Sequence, residues 1–335
     1  MARLTLEDIG RKARVSRATV SRVINNHPNI SDEVRERVWR IIEETGYQPN
    51  IAARTLASSE SRIIGLVIPA VLANVFSDPY YPQLMQGVAA ACNDLDYTLT
   101  LFLFQTQAEQ DRAMKRLVGN TLLDGVMIHA DYSDPTLPRQ LARARTPFVQ
   151  IGRTTDDQDN ITYVDTDNYQ GGYLATQHLI AQSYTRIAQV ATAMNMAGND
   201  RDRGYRDALQ ENDMPIIDDL IVYADFSEAK AYTMTQHLLE HQPDAIFCQS
   251  DTMALGTLQA IHDAGLRVPN DMAVVGFDDL LHAALSDPPL TTIRQDVTGI
   301  GYKAVELLQH VIQSPKSDPQ HVQLPVELII RQSTK

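Results

Sequence analysis

The sequence predicts two architectures in one chain: a small all-α head with a short linker, then a two-lobed α/β core built on parallel sheets. Three observations carry that prediction. The chain has 335 residues, more than one ordinary core holds, which suggests two or three domains of about 100 to 150 residues each. Apolar residues recur at helical spacing up to about residue 45, and from Arg62 the rhythm changes to short continuous apolar runs separated by helical stretches. Charge divides at the same place. Residues 1–60 hold 10 of the 29 Lys+Arg and 8 of the 42 Asp+Glu, so the head is slightly basic at +2 and the rest of the chain, with 19 against 34, carries -15 within the net -13. A basic head on an acidic body suits a nucleic-acid partner for the head and a different task for the body.

Composition narrows the class further. With 44% hydrophobic and 21% charged residues the chain reads as a soluble globular protein. Cys92 and Cys248 each lie inside an apolar run and read as inert core thiols, so a reducing compartment is expected. The opening "MARLTLEDIG" has no apolar stretch of the signal-peptide kind, and no run approaches 18 apolar residues; a cytoplasmic protein without a membrane span is the expectation.

Thr5 followed by Asp8 resembles a capping box, and Leu6, Ile9 and Ala13 then recur at helical spacing, which predicts a first helix over 6–13. After a short turn at Arg14-Val15, Ser16 can cap a second helix running to about Ile24, with Val20, Val23 and Ile24 inward. Ser31 is expected to cap a third, "DEVRERVWRIIEET", whose buried stripe is Val34, Val38, Ile41 and Ile42, and Gly46 stops it. Two short helices joined by a tight turn and braced by a third make a helix-turn-helix unit. Burying Val20, Val23 and Ile24 turns Arg17, Ala18, Ser21 and Arg22 outward. Arginine reads guanine O6 and N7 in bidentate fashion, and Ser, Thr and Asn suit phosphate contacts.

The run from Thr5 to Ser58, with its caps, its Thr-Val-Ser-Arg-Val helix core and its Gly-Tyr-x-Pro-Asn exit, resembles the DNA-binding head of the LacI/GalR family of bacterial transcription regulators. The resemblance makes Arg17, Ala18 and Arg22 base-reading positions and Ser16, Thr19, Ser21, Asn25 and Asn29 phosphate contacts. In "PNIAARTLASSES", Pro49 can initiate a helix, Ala52, Ala53 and Leu56 favour one, and the serines end it, although so short a helix is marginal alone. By the resemblance it is a hinge helix that forms in the minor groove beside its twin, with Leu56 as the wedge between base pairs and Asn50, Ala53 and Ala57 flanking it.

In the core, strand candidates are "RIIGLVIP", "TLTLFLF", "DGVMIHA" and "TPFVQIG", with helices near 82–95, 107–118 and 135–145. A second series, "ITYVDTD", "RIAQVAT", "LIVYADF", "DAIFCQS" and "DMAVVGFDD", alternates with helices near 168–182, 201–212, 228–241 and 252–265. Continuous apolar strands with helical crossovers imply parallel sheets covered on both faces, and the two series imply two lobes. Ligands bind such folds where the carboxyl ends of the strands meet a cleft.

"VDTDNYQGGYLATQHLI", "RDRGYRDAL", "DAIFCQSDTMALGTLQAI", "RVPNDMAVVGFDD", "PPLTTIRQD" and "ELIIRQST" extend the resemblance to the effector-binding core of the same family, which has the periplasmic-binding-protein fold. What it implies for the cleft is Arg201 as donor to effector hydroxyls or carboxylate, Asp278 as their acceptor, Ser250 where some members have Asn, and Phe226 as a stacking ring. Asp78, Tyr80 and Arg153 are first-lobe candidates. Asp251 is expected to cap the following helix. "QSYTRIAQV" lacks the usual Gly-His, and Asp78 replaces an Asn; both departures bear on the ligand more than on the fold.

"HLLEH", His237 to His241, fits the H-x-x-E-H zinc pattern, but it sits at the end of a crossover helix away from the strand ends, so neither metal nor catalytic residue is expected. Nothing fits G-x-S-x-G, a P-loop or G-x-G-x-x-G, and no cofactor is implied. Residues 62–335 alone would suit a sugar receptor or an enzyme of ribose chemistry; the head is what those readings leave unexplained. The expected protein has a DNA-binding domain at 1–48, a hinge at 49–61 and an effector-binding and dimerisation core at 62–335. It would be a transcriptional regulator, a repressor of carbohydrate-utilisation genes that binds a pseudo-palindromic operator in double-stranded DNA. It would act as a homodimer, since the chain stops at Lys335 without a tetramerising tail, under control of a mono- or oligosaccharide effector.

Overall fold

The computed structural model describes residues 4–24, 27–47, 60–118, 122–130, 136–154, 158–192 and 195–335. Contacts divide the chain into two compact units, residues 1–61 and 62–335.

In the first unit α1 (Leu6–Ala13) opens on the expected capping box: Thr5 Oγ1 accepts from the Asp8 amide at 3.3 Å, and Asp8 Oδ2 accepts from the Thr5 amide at 3.0 Å. Arg14 turns the chain in the left-handed region at φ 55, and the Val15 amide donates to Gly10 O at 2.9 Å. A Cβ on Gly10 would lie 2.8 Å from Val15 O, so this turn admits no larger residue without moving. Ser16 Oγ accepts from the Thr19 amide at 3.0 Å and starts α2 (Arg17–Ile24). Helix α3 (Asp32–Thr45) ends at Gly46, φ 61. Ser31 precedes α3 but makes no side-chain cap, a departure from expectation; the acidic first turn, Asp32 and Glu33, offsets the helix dipole there instead. Ile9, Ala13, Val20, Val23, Val38, Ile42 and Tyr47 form the core of this unit. Truncating a residue such as Ile9, with no exposed area, costs about 2–5 kcal/mol.

The second unit holds two six-stranded sheets. Its elements are β1 (Ile63–Val71), α4 (Leu72–Ser77), α5 (Tyr80–Asp94), β2 (Thr98–Phe104), α6 (Gln107–Leu117), β3 (Gly125–His129), α7 (Thr136–Ala144), β4 (Phe148–Ile151), β5 (Tyr163–Thr166) and α8 (Asn168–Ala181). There follow β6 (Ile187–Ala191), α9 (Met196–Glu211), β7 (Ile221–Tyr223), α10 (Glu228–Glu240), β8 (Ala245–Cys248), α11 (Asp251–Asp263), β9 (Ala273–Asp278), α12 (Leu281–Leu285), β10 (Thr291–Gln295), α13 (Val297–Gln313), β11 (His321–Leu324) and β12 (Val326–Ile329). The first sheet runs β11-β5-β4-β3-β1-β2, all parallel, and the second β12-β10-β9-β8-β6-β7, parallel except for antiparallel β12. Side chains of α5 and α13 pack one face of the first sheet, and α6 and α7 the other. In the second sheet α10 and α11 cover one face, α8 and α9 the other.

One expectation is corrected. The apolar pattern puts the strand "ITYVDTD" in the second series, yet β5 pairs with β4 and β11 in the first sheet. The chain therefore passes between the lobes three times, after β5, after β10 and after β11. These passes are bonded to one another. Thr166 Oγ1 donates to Gln295 Oε1 at 2.5 Å, and the Asp167 amide donates to Leu324 O at 3.0 Å.

Candidate functional sites: a helix face and an interlobe cleft

On helix α2, Arg17, Ala18 and Arg22 are exposed and Ser21 partly so, at the i, i+1, i+4, i+5 spacing of one helix face, because Val20 and Val23 are held in the head's core. The Ser16 and Thr19 hydroxyls are 2.8 Å apart at the start of this face, so the capping pair already has a structural task. Asn29 is exposed in the turn before α3. Arg17 lies 3.6 Å from Glu7 in a pair whose partners are each 68% exposed. Such a pair contributes little and can open for a stronger acceptor such as a phosphate or guanine. Asn25, Asn50, Ala53, Leu56 and Ala57 lie outside the described residues.

In the second unit a cavity of about 600 Å³ lies between the lobes, lined among others by Asp78, Tyr80, Arg153, Arg201, Phe226 and Asp278. Arg201 stands in the second turn of α9. A Cβ on Gly172 of α8 would come within 2.2 Å of Arg201 O, so glycine there lets α9 approach closely enough to set the arginine. The guanidinium donates from Nε to Asn168 Oδ1 at 2.8 Å and from Nη1 to Gln249 O at 2.5 Å, and its Cζ lies 3.6 Å from the Phe277 ring centroid. Burial lowers its pKa, against the opposing pull of Asp278. A guanidinium carries five N–H donors, so this one is fixed in place with donors left for a hydroxyl or carboxylate.

Asp278 ends β9 at φ 117, a conformation that L residues rarely adopt. Asp279, beside it, is gripped by Arg294 at 2.7 Å and by Arg331, which holds the turn. Gln295 Nε2 donates to Asp278 Oδ1. Burial pushes the Asp278 carboxyl up to about 7, against the lowering by Arg201 and with a further push from Asp78. Near neutrality it can therefore donate as well as accept.

Arg153, just beyond β4, donates from Nε to Asp165 Oδ2 at 2.7 Å and from a terminal nitrogen to Asp200 on α9. It thus joins the first lobe to the second while lining the cavity. Burial lowers its pKa, but the hydrogen bond and charge of Asp165 together with the charge of Asp200 act against that, and the net shift is upward. The Tyr80 amide donates to Asp78 Oδ1 at 3.0 Å, and the Tyr80 hydroxyl lies 3.2 Å from His129 Nε2. Phe226, at φ 57, packs partly against the second-lobe core and presents the rest to the cavity.

Two neighbouring residues depart from expectation. Ser250 is fully buried outside the cavity wall, where its hydroxyl accepts from the Met253 amide at 3.1 Å; it, rather than Asp251, caps α11. Asp251 instead accepts from Thr292 Oγ1 at 2.6 Å and from the Leu280 amide at 2.8 Å, and burial raises its pKa. Thr252 lines the cavity, its buried Oγ1 without a hydrogen-bond partner among the described residues. Sequence reasoning also passed over Asp165, Asn168, Gln295 and His129. The first three lie inside the quoted "VDTDNYQGGY" and "TTIRQD" motifs, and no local pattern distinguishes them there.

Among the described residues no group of three or more His, Cys, Asp or Glu is placed to hold a metal ion, and no helix is long and apolar enough to cross a membrane. Cys92 and Cys248 are free and buried, and burial raises their pKa to about 11 and about 12.

Comparison with known proteins places this geometry. Residues 5–50 match the model of the bacterial regulatory proteins, lacI family, and residues 176–334 that of a periplasmic binding protein-like domain. The chain is 36% identical over 335 residues to the HTH-type transcriptional regulator CelR of Thermobifida fusca, covering 99% of this chain and 98% of that protein. It is 32% identical over 335 residues to the ribose operon repressor of Halalkalibacterium halodurans, covering 99% and 97%. Among solved structures, a CelR-cellobiose complex superposes with a TM-score of 0.79 at 34% identity over 99% of this chain and 100% of that one. A lac repressor dimer bound to operator and an anti-inducer gives 0.86 at 26% over 99% of each. These relatives are regulators rather than enzymes, and with its helix-turn-helix head on a two-lobed α/β core this chain belongs to the lacI family of bacterial regulatory proteins, as a DNA-binding transcriptional regulator.

Proposed function

We propose that this regulator is a sugar-controlled repressor of carbohydrate-utilisation genes, acting in the cytoplasm as a homodimer on a pseudo-palindromic operator. The observation that carries the ligand reading is the interlobe cavity, which Arg201 and Asp278, both at least nine-tenths buried, line together with the half-buried rings of Tyr80 and Phe226. Planar donors and a carboxyl engage adjacent hydroxyls, and aromatic rings cover the apolar face of a sugar. The solved relative with cellobiose supports a saccharide over a purine.

In this reading Arg201, Asp278, Phe226, Asp78, Tyr80 and Arg153 contact or frame the effector, with Thr252 taking the place assigned to Ser250. Arg17, Ala18 and Arg22 read bases, Ser16, Thr19, Ser21, Asn25 and Asn29 meet phosphates, and Asn50, Ala53, Leu56 and Ala57 form the hinge contact. Residues 1–48 are the DNA-binding domain, 49–61 the hinge and 62–335 the effector and dimerisation core. Effector binding changes the angle between lobes about the three crossovers, and the coupling is the difference in effector affinity between the two lobe arrangements.

The test is fluorescence anisotropy of the full chain on DNA selected from a random pool, with and without mono- and oligosaccharides at fixed salt, since phosphate contacts make affinity salt-dependent. A selected palindrome whose affinity one sugar shifts is the expected result. A palindrome that no sugar affects would leave the DNA reading and remove the saccharide, and no selected sequence would remove the reading of the head.

A further inference from the structure

A second cavity, of about 250 Å³, lies in the first lobe between the carboxyl ends of β3 and β4 and the helices α6 and α7. Its lining combines apolar Met114, Ile128 and Leu137 with the polar Gln110, Gln140 and Gln150. Gln150 is 2% exposed, and its amide nitrogen Nε2 is buried with no hydrogen-bond partner among the described residues. Alternation along β4 explains its direction. Phe148 packs with the α6 and α7 face while Val149 and Ile151 pack with the opposite face, so Gln150 falls on the α6 and α7 side.

A buried amide donor left unpaired costs about 1–3 kcal/mol, whereas leucine of similar size would cost nothing of the kind at this position. The arrangement makes sense if an acceptor enters the cavity. The rim carries one acid and one base, Asp111 and Lys115, a balance that favours a neutral polar occupant over an ion. The space adjoins the interlobe cleft, because His129 and Ala130 line both cavities.

We propose that this cavity is a second carbohydrate subsite that takes one neutral polyhydroxylated ring, with Gln150 Nε2 donating to a ring hydroxyl. The proposal rests on the saccharide reading of the cleft. The ring is either the end unit of an oligosaccharide whose other units occupy the cleft, or a separate monosaccharide; both present the same chemistry.

The experiment is calorimetric titration of the full chain with glucose, cellobiose and cellotriose, for wild type, Gln150→Leu, Gln140→Trp and Arg201→Ala. Gln150→Leu should keep the wild-type melting temperature or raise it, and should weaken by about 2- to 10-fold the sugar that reaches the subsite. Gln140→Trp, at the half-buried rim, should plug the mouth and give the same or a larger loss. Loss confined to cellotriose identifies the end unit of a chain. Loss of a second, weaker glucose site that survives Arg201→Ala identifies a separate monosaccharide. If Arg201→Ala abolishes binding while Gln150→Leu and Gln140→Trp leave every affinity at wild type, the subsite is overturned and the cleft reading stands. If no sugar binds wild type, both are overturned.

Discussion

Arg153 and Asp200 tie the two lobes together: one stands just past β4 of the first sheet, the other in the first turns of α9, and the guanidinium donates directly to the carboxylate across the cleft. Asp200 is 4% exposed and Arg153 15%, so solvent screens the pair weakly. Asp200→Asn should cost about 1–3 kcal/mol, less than breaking a fully isolated buried pair, because Asp165 still compensates Arg153. Urea unfolding of the full chain measures it, and an unchanged midpoint and slope would show the link to be energetically idle. The same variant should shift the sugar concentration needed for the operator response, since it removes a contact that depends on the angle between lobes.

Arg201→Ala should abolish the response to effector and leave operator affinity without effector near wild type. Hydrogen bonds to a charged group contribute about 1.5–3 kcal/mol, so effector affinity should fall at least about 10-fold. The variant should also melt at a lower temperature, because Asn168 Oδ1 and Gln249 O lose their donor. Retention of the original effector midpoint would take Arg201 out of the site. Arg201→Lys separates the two effects: it keeps the charge but not the planar fork.

Asp278 makes stability fall as pH rises. Its folded-state pKa, about 7, lies above the ordinary 3.8 through burial, so between those values the folded chain holds a proton that the unfolded chain has lost. The stabilisation is full below about pH 4, declines through the window and is gone above about 7; Asp251, also raised, acts in the same direction. Asp278→Asn should flatten this decline in denaturant midpoints measured from pH 5 to pH 8. An unaltered slope would place the proton elsewhere.

Leu56→Ala should weaken binding to the selected operator far more than binding to random DNA. A hinge wedge acts by unstacking a base step, and its loss leaves the phosphate contacts intact. Equal loss on both DNAs, measured by anisotropy at one salt concentration, would contradict the hinge role given to the linker.

Much of this protein is written locally. The Thr5/Asp8 capping box, the Ser16 start of α2, the Gly46 stop of α3 and the strand and helix spans of the core each depend on residues within a few positions of one another. Periodicity and capping are properties of such short windows. Part of the cleft was legible in the same way, since Arg201 and Asp278 sit in the quoted motifs "RDRGYRDAL" and "DMAVVGFDD", the first within α9 and the second at the end of β9.

The remainder was decided by tertiary structure. Which sheet receives β5 depends on pairing with β11, which is more than 150 residues away and carries no signal in "ITYVDTD" itself. Ser250 and Asp251 could each cap α11, and only the packing of β10, which brings Thr292 Oγ1 to Asp251, assigns the carboxylate to the core and the hydroxyl to the cap. Gln295 reaches Thr166 from 129 residues away, and Gln150 acquires its unpaired nitrogen only where α6 and α7 close over the sheet. The sequence by itself determined the elements and the charge of the head, because backbone propensity and amphipathic period are short-range. The tertiary structure decided which polar side chains converge, because a buried donor and its acceptor need proximity in space alone.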